Sequence, residues 1–317
     1  MIDVPLTLQD AIRHFAEFEN CRTFMTELRW PDGEVKCPTC GSKRVAWLAT
    51  ARLFKCYEKH PRPKFSLKTG TIFEDSPLGL DKWLAAVWMV VNCKNGVSSY
   101  ELHRDLGVTQ KTAWFMLHRI RLAMQDPQTG GKLGGEVEVD ETYIGGKVRN
   151  MHKSRRPKHR PTAGGAGKTI VLGALERKGK LRAMVAPDRK KKTMQVFVKE
   201  RAKLGSHIMS DDHARTWLMD DEYVFGIVNH LECYVKDNVH TNGMENFWSL
   251  LKRTLKGTYV SVEPFHLFRY VDEQVFRFKT RRELNDFGRF ALTLIQIVGR
   301  RLTYRALIGK EAQTATC

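Results

Sequence analysis

Cys37-Pro-Thr-Cys40-Gly41 sets two thiols two residues apart ahead of a glycine that relieves the turn, so both sulfurs can face one ion. The run CYEKH, 15 residues further on, offers Cys56 and His60 as the partner pair. Together these four make a Cys3His set, an accepted tetrahedral zinc site, and a zinc site obliges the surrounding chain to fold as short hairpins around it. Runs such as RLFKC, with Gly and Pro between them, suit short strands joined by tight turns. Reading CPTCG as two buried thiols would leave Cys56 and His60 unexplained at ribbon spacing. The remaining cysteines, Cys21, Cys93, Cys233 and Cys317, are scattered and bring the total to an odd seven. That is metal usage in a reducing compartment, not a disulfide framework.

The charge balance points to the partner. With 53 Lys and Arg against 35 Asp and Glu, the chain carries +18, a bias toward polyanions and so toward nucleic acid. At 42% hydrophobic it can bury real cores, and its 317 residues suggest about two or three domains. The longest apolar run, WLAAVWMVVNC from Trp83, is too short to span a bilayer, and the start has no signal pattern. A soluble protein of the cytoplasm, associated with the nucleoid, is expected.

Periodicity divides the chain further. A helix is expected from Leu8 to about Glu27, with Ala11, Phe15, Phe18 and Phe24 on one side, closing an N-terminal segment 1–29. The ribbon occupies 30–78. Residues 79–126 turn helical, and SSYELHRDLGVTQKTAWFMLHRIRLAM has two arms joined at Leu106-Gly107-Val108, a helix-turn-helix layout. Ser98, Ser99 and Thr109 can cap the arms, and Trp114, Leu117 and Leu122 should face inward. Gln110, Lys111, Arg119 and Arg121 on the second arm are the candidate groove contacts, against the plainer reading of a basic helix that packs and solvates. A catalytic domain at 134–282 follows, with strands at EVEVDETYIGG, TIVLGALER and KLRAMVAP, a helix over 192–204, a strand at HIMS, a weaker pair near Trp217 and Val224, and a long helix from about Asn242. A basic loop, 147–168, interrupts it, and a helical tail, 283–317, ends the chain. GGAGKT imitates a phosphate-binding loop, but Thr162 stands where its first Gly belongs and no strand precedes it.

Within EVEVDETYIGG, strand alternation puts Glu136, Glu138 and Asp140 on one face and Val137, Val139 and Glu141 on the other. A carboxylate row facing a core needs neutralising, and a divalent ion is the usual answer. HIM runs into Ser210-Asp211-Asp212, placing an acid at a strand's C-terminal edge. Asn242 and Glu245 lie three apart on one helix face, and Lys252 lies two turns beyond Glu245 on the same face. Phosphoryl transfer between diesters uses two hard cations held by such oxygens, with Mg2+ or Mn2+ as the expected cofactor. Trp248, close by, can pack or stack a base.

The succession CPTCG, FSLKTGTIF, helix-turn-helix, VDETYIGGK, SDD and VHTNGMENFWSLLKRTLKGTY resembles the zinc-ribbon DDE transposases of small bacterial insertion sequences, the ISXO-like group, over roughly Cys21 to Arg282. The resemblance implies an α/β, ribonuclease-H-like catalytic domain behind a zinc ribbon and a helix-turn-helix. Its three acids match Asp140, Asp211 and Glu245, with Lys252 completing the E-x6-K spacing. An Asn holds the third position in part of the group, which makes Asn242 the substitute or supporting ligand. Asp212 competes with Asp211, and Asp211 is preferred as the first acid after the strand. The function implied is metal-dependent cleavage at element ends followed by 3′-hydroxyl strand transfer, by a homodimer or larger assembly on double-stranded DNA. The alternatives are a nuclease or junction resolvase that does not join ends, and a catalytically silent DNA-binding regulator.

Overall fold

The computed structural model describes residues 5–125, 131–146, 153, 167–177, 179–211, 222–228 and 240–310. Almost all of the basic loop, together with Asp212, Trp217, Cys233 and Cys317, lies outside the described residues. Among those described, no helix is long and apolar enough to cross a membrane. The chain forms two compact units, Met1–Gln125 with Thr280–Cys317, and Asp126–Lys279.

In the first unit the expected N-terminal helix is two helices, α1 (Leu8–Ala16) and α2 (Phe18–Arg29). Thr7 and Asp10 close a capping box on α1, and Glu17 is extended between the two. The break is held by side chains: Asn20 Nδ2 donates to the His14 carbonyl at 2.8 Å and Cys21 Sγ to that of Phe15 at 3.1 Å. Strands β1 (Val45–Leu48), β2 (Leu53–Cys56) and β3 (Lys64–Phe65) form an antiparallel ribbon in that order. Helix α3 (Leu80–Asn92) is buried nearly all round, which explains its unbroken apolar run. The turn between α4 (Ser99–Leu106) and α5 (Gln110–Met124) needs Gly107 at φ +59°, a left-handed cap that other residues adopt only at a cost. Ser98 and Thr109 cap these two helices. Of the three residues expected to face inward, Leu117 is buried, whereas Trp114 and Leu122 are half-buried.

Residues 283–310 are not a tail. Helix α9 (Asp286–Ile295) returns to the first unit, and Phe290 packs against Phe15 and Phe24 at 5.8 Å and Trp88 at 5.0 Å between ring centroids. Backbone bonds from Ile72 to Ile297 and from Gly299 to Gly70 extend the return, which ends in the short α10 (Tyr304–Leu307). Periodicity marks these residues as helical, but the surface they cover lies some 200 residues earlier in the chain, where no local pattern points to it.

The second unit is a five-stranded mixed sheet, order β6-β5-β4-β7-β8. β4 (Glu136–Ile144), β5 (Thr169–Glu176) and β6 (Leu181–Ala186) are antiparallel, whereas β7 (His207–Asp211) and β8 (Val224–Val228) run parallel to β4. Helix α6 (Lys191–Arg201) covers one face through Met194, Phe197 and Val198 upon Val137, Val139 and Leu172. Helices α7 (Asn242–Thr254) and α8 (Leu267–Thr280) cover the other through Met244, Phe247, Trp248 and Val271 upon Val171 and Leu175. The alternation in EVEVDE thus places its valines toward α6 and Glu138 and Asp140 toward α7.

Candidate active site and metal centre

Cys37, Cys40, Cys56 and His60 converge, with every ligand atom within 4.8 Å of the others. Cys40 and Cys56 sulfurs are 3.6 Å apart, and Cys37 Sγ is 3.5 Å from His60 Nε2. Ligands about 2.0–2.3 Å from a tetrahedral Zn2+ stand about 3.5–3.8 Å from one another, so the four fit that ion. Gly41, at φ +74°, closes the knuckle, its amide donating to the Cys37 carbonyl at 2.8 Å. Burial works to raise the Cys37 thiol, but the amides of Cys40 and Thr39, joined by the Cys40 and Cys56 thiols, together hold it below its usual range. That favours the thiolate a metal needs. Cys56 is raised instead, by burial first.

The carboxylate row on β4 is split in use. Arg177, the residue after β5, reaches Glu136 at 3.1 Å and Glu138 at 3.4 Å. Glu138, 2% exposed, also lies 3.5 Å from His240 Nδ1 and accepts the Met244 amide at 2.9 Å. That amide belongs to the first turn of α7, whose N-cap residue Thr241 makes no side-chain cap. Glu138 therefore serves as a cap supplied from the sheet, its charge set against the positive end of the helix dipole. A Cβ on Gly243 would come within 2.5 Å of Leu175 Cδ2 and 2.8 Å of Glu138 Oε2, so a bare glycine is what lets the helix end settle there. Neutralisation of Glu136 and Glu138 by an arginine, not by a metal, corrects the expectation for those two acids. Glu141, on the opposite face, pairs with Arg189 at 2.7 Å.

Asp140 differs. Its Oδ1 accepts the Glu141 amide at 2.8 Å and its Oδ2 the indole N–H of Trp248 at 2.9 Å, but among the described residues no cation pairs with it. β4 and β7 pair in parallel from Glu136 and His207 to Glu138 and Met209, and the same register two residues further sets Asp211 beside Asp140. Loss of hydration pushes the Asp140 carboxyl up to about 7, and the negative charges of Asp211 and Glu141 add to the rise against the two donated hydrogen bonds. Such a pair is what a divalent cation relieves, so the donor set fits one.

On α7, Met244, Phe247, Trp248 and Leu251 face the sheet, while Asn242 and Glu245 are exposed and Lys252 is half-buried. Glu245 lies one turn before Trp248, on the edge of the helix that leads to Asp140. The described residues bring three or more metal-type ligands together only in the ribbon: Asp140 and Asp211 are neighbours, and Glu245 does not close on them.

The helix-turn-helix residues need correction. Arg119 is 5% exposed and spends its guanidinium on the carbonyls of Glu74 at 2.9 Å and Leu302 at 3.2 Å. Arg121 is 1% exposed. From Met116 to Met124 only Leu122 escapes full burial, so both arginines are interior groups and neither reads a groove. Gln110 donates to Ser99 Oγ at 2.8 Å. Lys111 is exposed, with its ammonium 4.7 Å from the Tyr304 ring, and the first turn of α5 is the part of that helix open to a partner.

Residues 132–279 match the ISXO2-like transposase domain, and residues 19–58 match a transposase zinc-ribbon domain that ends just short of His60. The chain is also 26% identical, over 77% of its length and 85% of the relative's, to an uncharacterised protein in transposable element ISH50 of Halobacterium salinarum. No solved structure matches it.

Proposed function

We propose, from the premise that the chain belongs to the ISXO2-like DDE transposases with a transposase zinc ribbon, that it cleaves DNA at the ends of an insertion sequence and joins the freed 3′-hydroxyl to target DNA. The strand order, with the first three strands antiparallel and the next two parallel to the first, supports a ribonuclease-H-like reading of the second unit. The observation that carries the proposal is Asp140: a carboxylate with no cation partner among the described residues, beside Asp211, beneath the helix that bears Asn242, Glu245 and Lys252.

In this reading Asp140, Asp211 and Glu245 hold two Mg2+ or Mn2+ ions, with Asn242 as the substitute third ligand. Bound there, such ions would sharpen an attacking oxygen and support a leaving one. The chain itself aligns the scissile phosphate, and the hydrogen bonds from Trp248 and the Glu141 amide favour the ionised Asp140 against its burial. Lys252 holds a phosphate near the cut. The same groups serve twice: water displaces the 3′-oxygen at an element end, and that 3′-hydroxyl then displaces a 3′-oxygen in the target. One phosphodiester replaces another, so joining requires no external energy source. The ribbon and the first turn of α5, with Lys111 and Gln110, serve end binding, and two chains hold two ends.

The test is a strand-transfer assay with paired element ends, a target plasmid and Mg2+. D140N and D211N should each lose about 10³-fold or more of both cleavage and joining while end binding persists, because such a site fails as a unit. Loss in N242A without loss in E245Q would move the third ligand to Asn242. Hydrolysis with no joined product from the unaltered chain would assign the nuclease reading instead.

A further inference from the structure

Trp248 is the side chain through which α7 reaches Asp140, and the two-cation reading gives it no task. Its ring lies in the core, 5.0 Å from that of Phe247 and tilted to it, which alone would mark it as packing. Its nitrogen says more. A buried indole N–H needs an acceptor, and here the acceptor is the carboxylate that, among the described residues, has no cation beside it. Gly173 pairs with Asp140 across β4 and β5, and a Cβ there would stand 2.9 Å from Trp248 Cζ2 and Cη2 and 2.2 Å from Met244 Cε. A glycine inside a strand forfeits packing, and this one clears the slot in which the indole lies.

We infer that Trp248 is a positioning residue that fixes the orientation of the Asp140 carboxylate, and that Gly173 preserves the space it needs. The assignment rests on the reading of Asp140 as a cation ligand. A carboxylate turns easily about its last torsion. Here the Glu141 amide holds one oxygen and the indole the other, and each oxygen keeps a lone pair for a further partner. Outer partners of this kind set the orientation of ligating groups and are worth roughly 10- to 100-fold in metal affinity. The same bond ties Asp140 to the helix that carries Asn242 and Glu245, so strand and helix ligands hold a common register.

The experiment measures Mn2+ binding to the full-length, zinc-loaded chain by calorimetry without DNA. W248F keeps an aromatic ring but no donor and should weaken Mn2+ binding about 10-fold or more. F247L, which removes core volume one position away and donates nothing to Asp140, should lower thermal stability and leave Mn2+ affinity unchanged. G173A, which displaces the indole, should weaken binding as W248F does, and the double variant should be no worse than either, as for two changes acting through one contact. G173A carries the test if W248F does not fold. Unchanged affinity in W248F or, in its place, G173A overturns the positioning role while D140N still abolishes binding. Unchanged affinity in D140N overturns the ligand reading and this assignment together.

Discussion

The ribbon and the sheet site both gather metal-type ligands, yet they are built to opposite rules. In the ribbon, four ligand atoms already lie within 4.8 Å of one another, two pairs of them at the spacing of a tetrahedral ion, held by a three-stranded sheet and a left-handed glycine. In the sheet, Arg177 and the start of α7 satisfy Glu138, while Asp140 two residues on is left with a raised carboxyl, a like charge at Asp211, and a third candidate that has not closed. A site that only holds the fold together can be finished by folding. One that is to work on a substrate, as proposed for the sheet, keeps part of its electrostatic demand unmet until the substrate arrives.

Removing the ribbon's ion should produce the largest effect. Structural zinc contributes on the order of 10 kcal/mol to small domains, so C37S should unfold residues 30–73. Hydrogen exchange should show protection lost there and kept in β4 to β6. A zinc-free C37S protein with ribbon amides still protected would erase the distinction between the two sites.

Glu138 tests the satisfied half of the sheet. E138A leaves the α7 terminus uncapped and Arg177 short of a buried partner, and should cost about 3 kcal/mol in urea unfolding. E138Q, which retains an acceptor for the Met244 amide, should lose less than half of that. Equal losses would mean that shape, not capping, is what Glu138 supplies.

Arg119 belongs with the satisfied groups, despite its position on a helix that looks made for DNA. R119A should cost about 2 kcal/mol of stability by stranding two carbonyls, with no change in the ratio of specific to non-specific DNA affinity. K111A should do the reverse, leaving stability intact and lowering the salt slope of binding by about one.

Asp140 tests the unsatisfied half, and the sign is opposite. Its carboxyl ionises near 7 in the fold against 3.8 unfolded, so the native state holds more protons between those values. Its contribution to stability is then whole below pH 4 and lost as pH rises through 7. In metal-free protein D140N should therefore be the more stable by about 1–2 kcal/mol at pH 8, less than the full linkage because an amide offers one acceptor to two donors. The gain should vanish near pH 4. A destabilised D140N at pH 8 would place Asp140 among the structural acids.

What could be read in advance follows the reach of each signal. The ribbon ligands, the helix caps at Ser98 and Thr109, and the alternation of EVEVDE are local, and periodicity or spacing exposes them. Arg119 finds its carbonyls 45 and 183 residues away, and Trp248 meets Asp140 across 108, so nothing near them announces the partner. Two hints were present. Gly173 interrupts the apolar run of its strand, and Gly243 sits in the first turn of a helix, and both mark places where another element comes close.

The return of α9 to the first unit has a consequence for synthesis. The helix that seals Phe15, Phe24 and Trp88 emerges only after the 154 residues of the second unit have been made. At about 5–20 residues per second that is a delay of roughly 8–30 s, during which the apolar flank of α3 has no cover from its own chain. Released chains truncated at Lys279 should be cut by protease within α3 while the sheet of the second unit resists, whereas chains that run on through Gly309 should resist at both. The nascent protein would thus complete the unit in the middle of its chain before the unit that begins it.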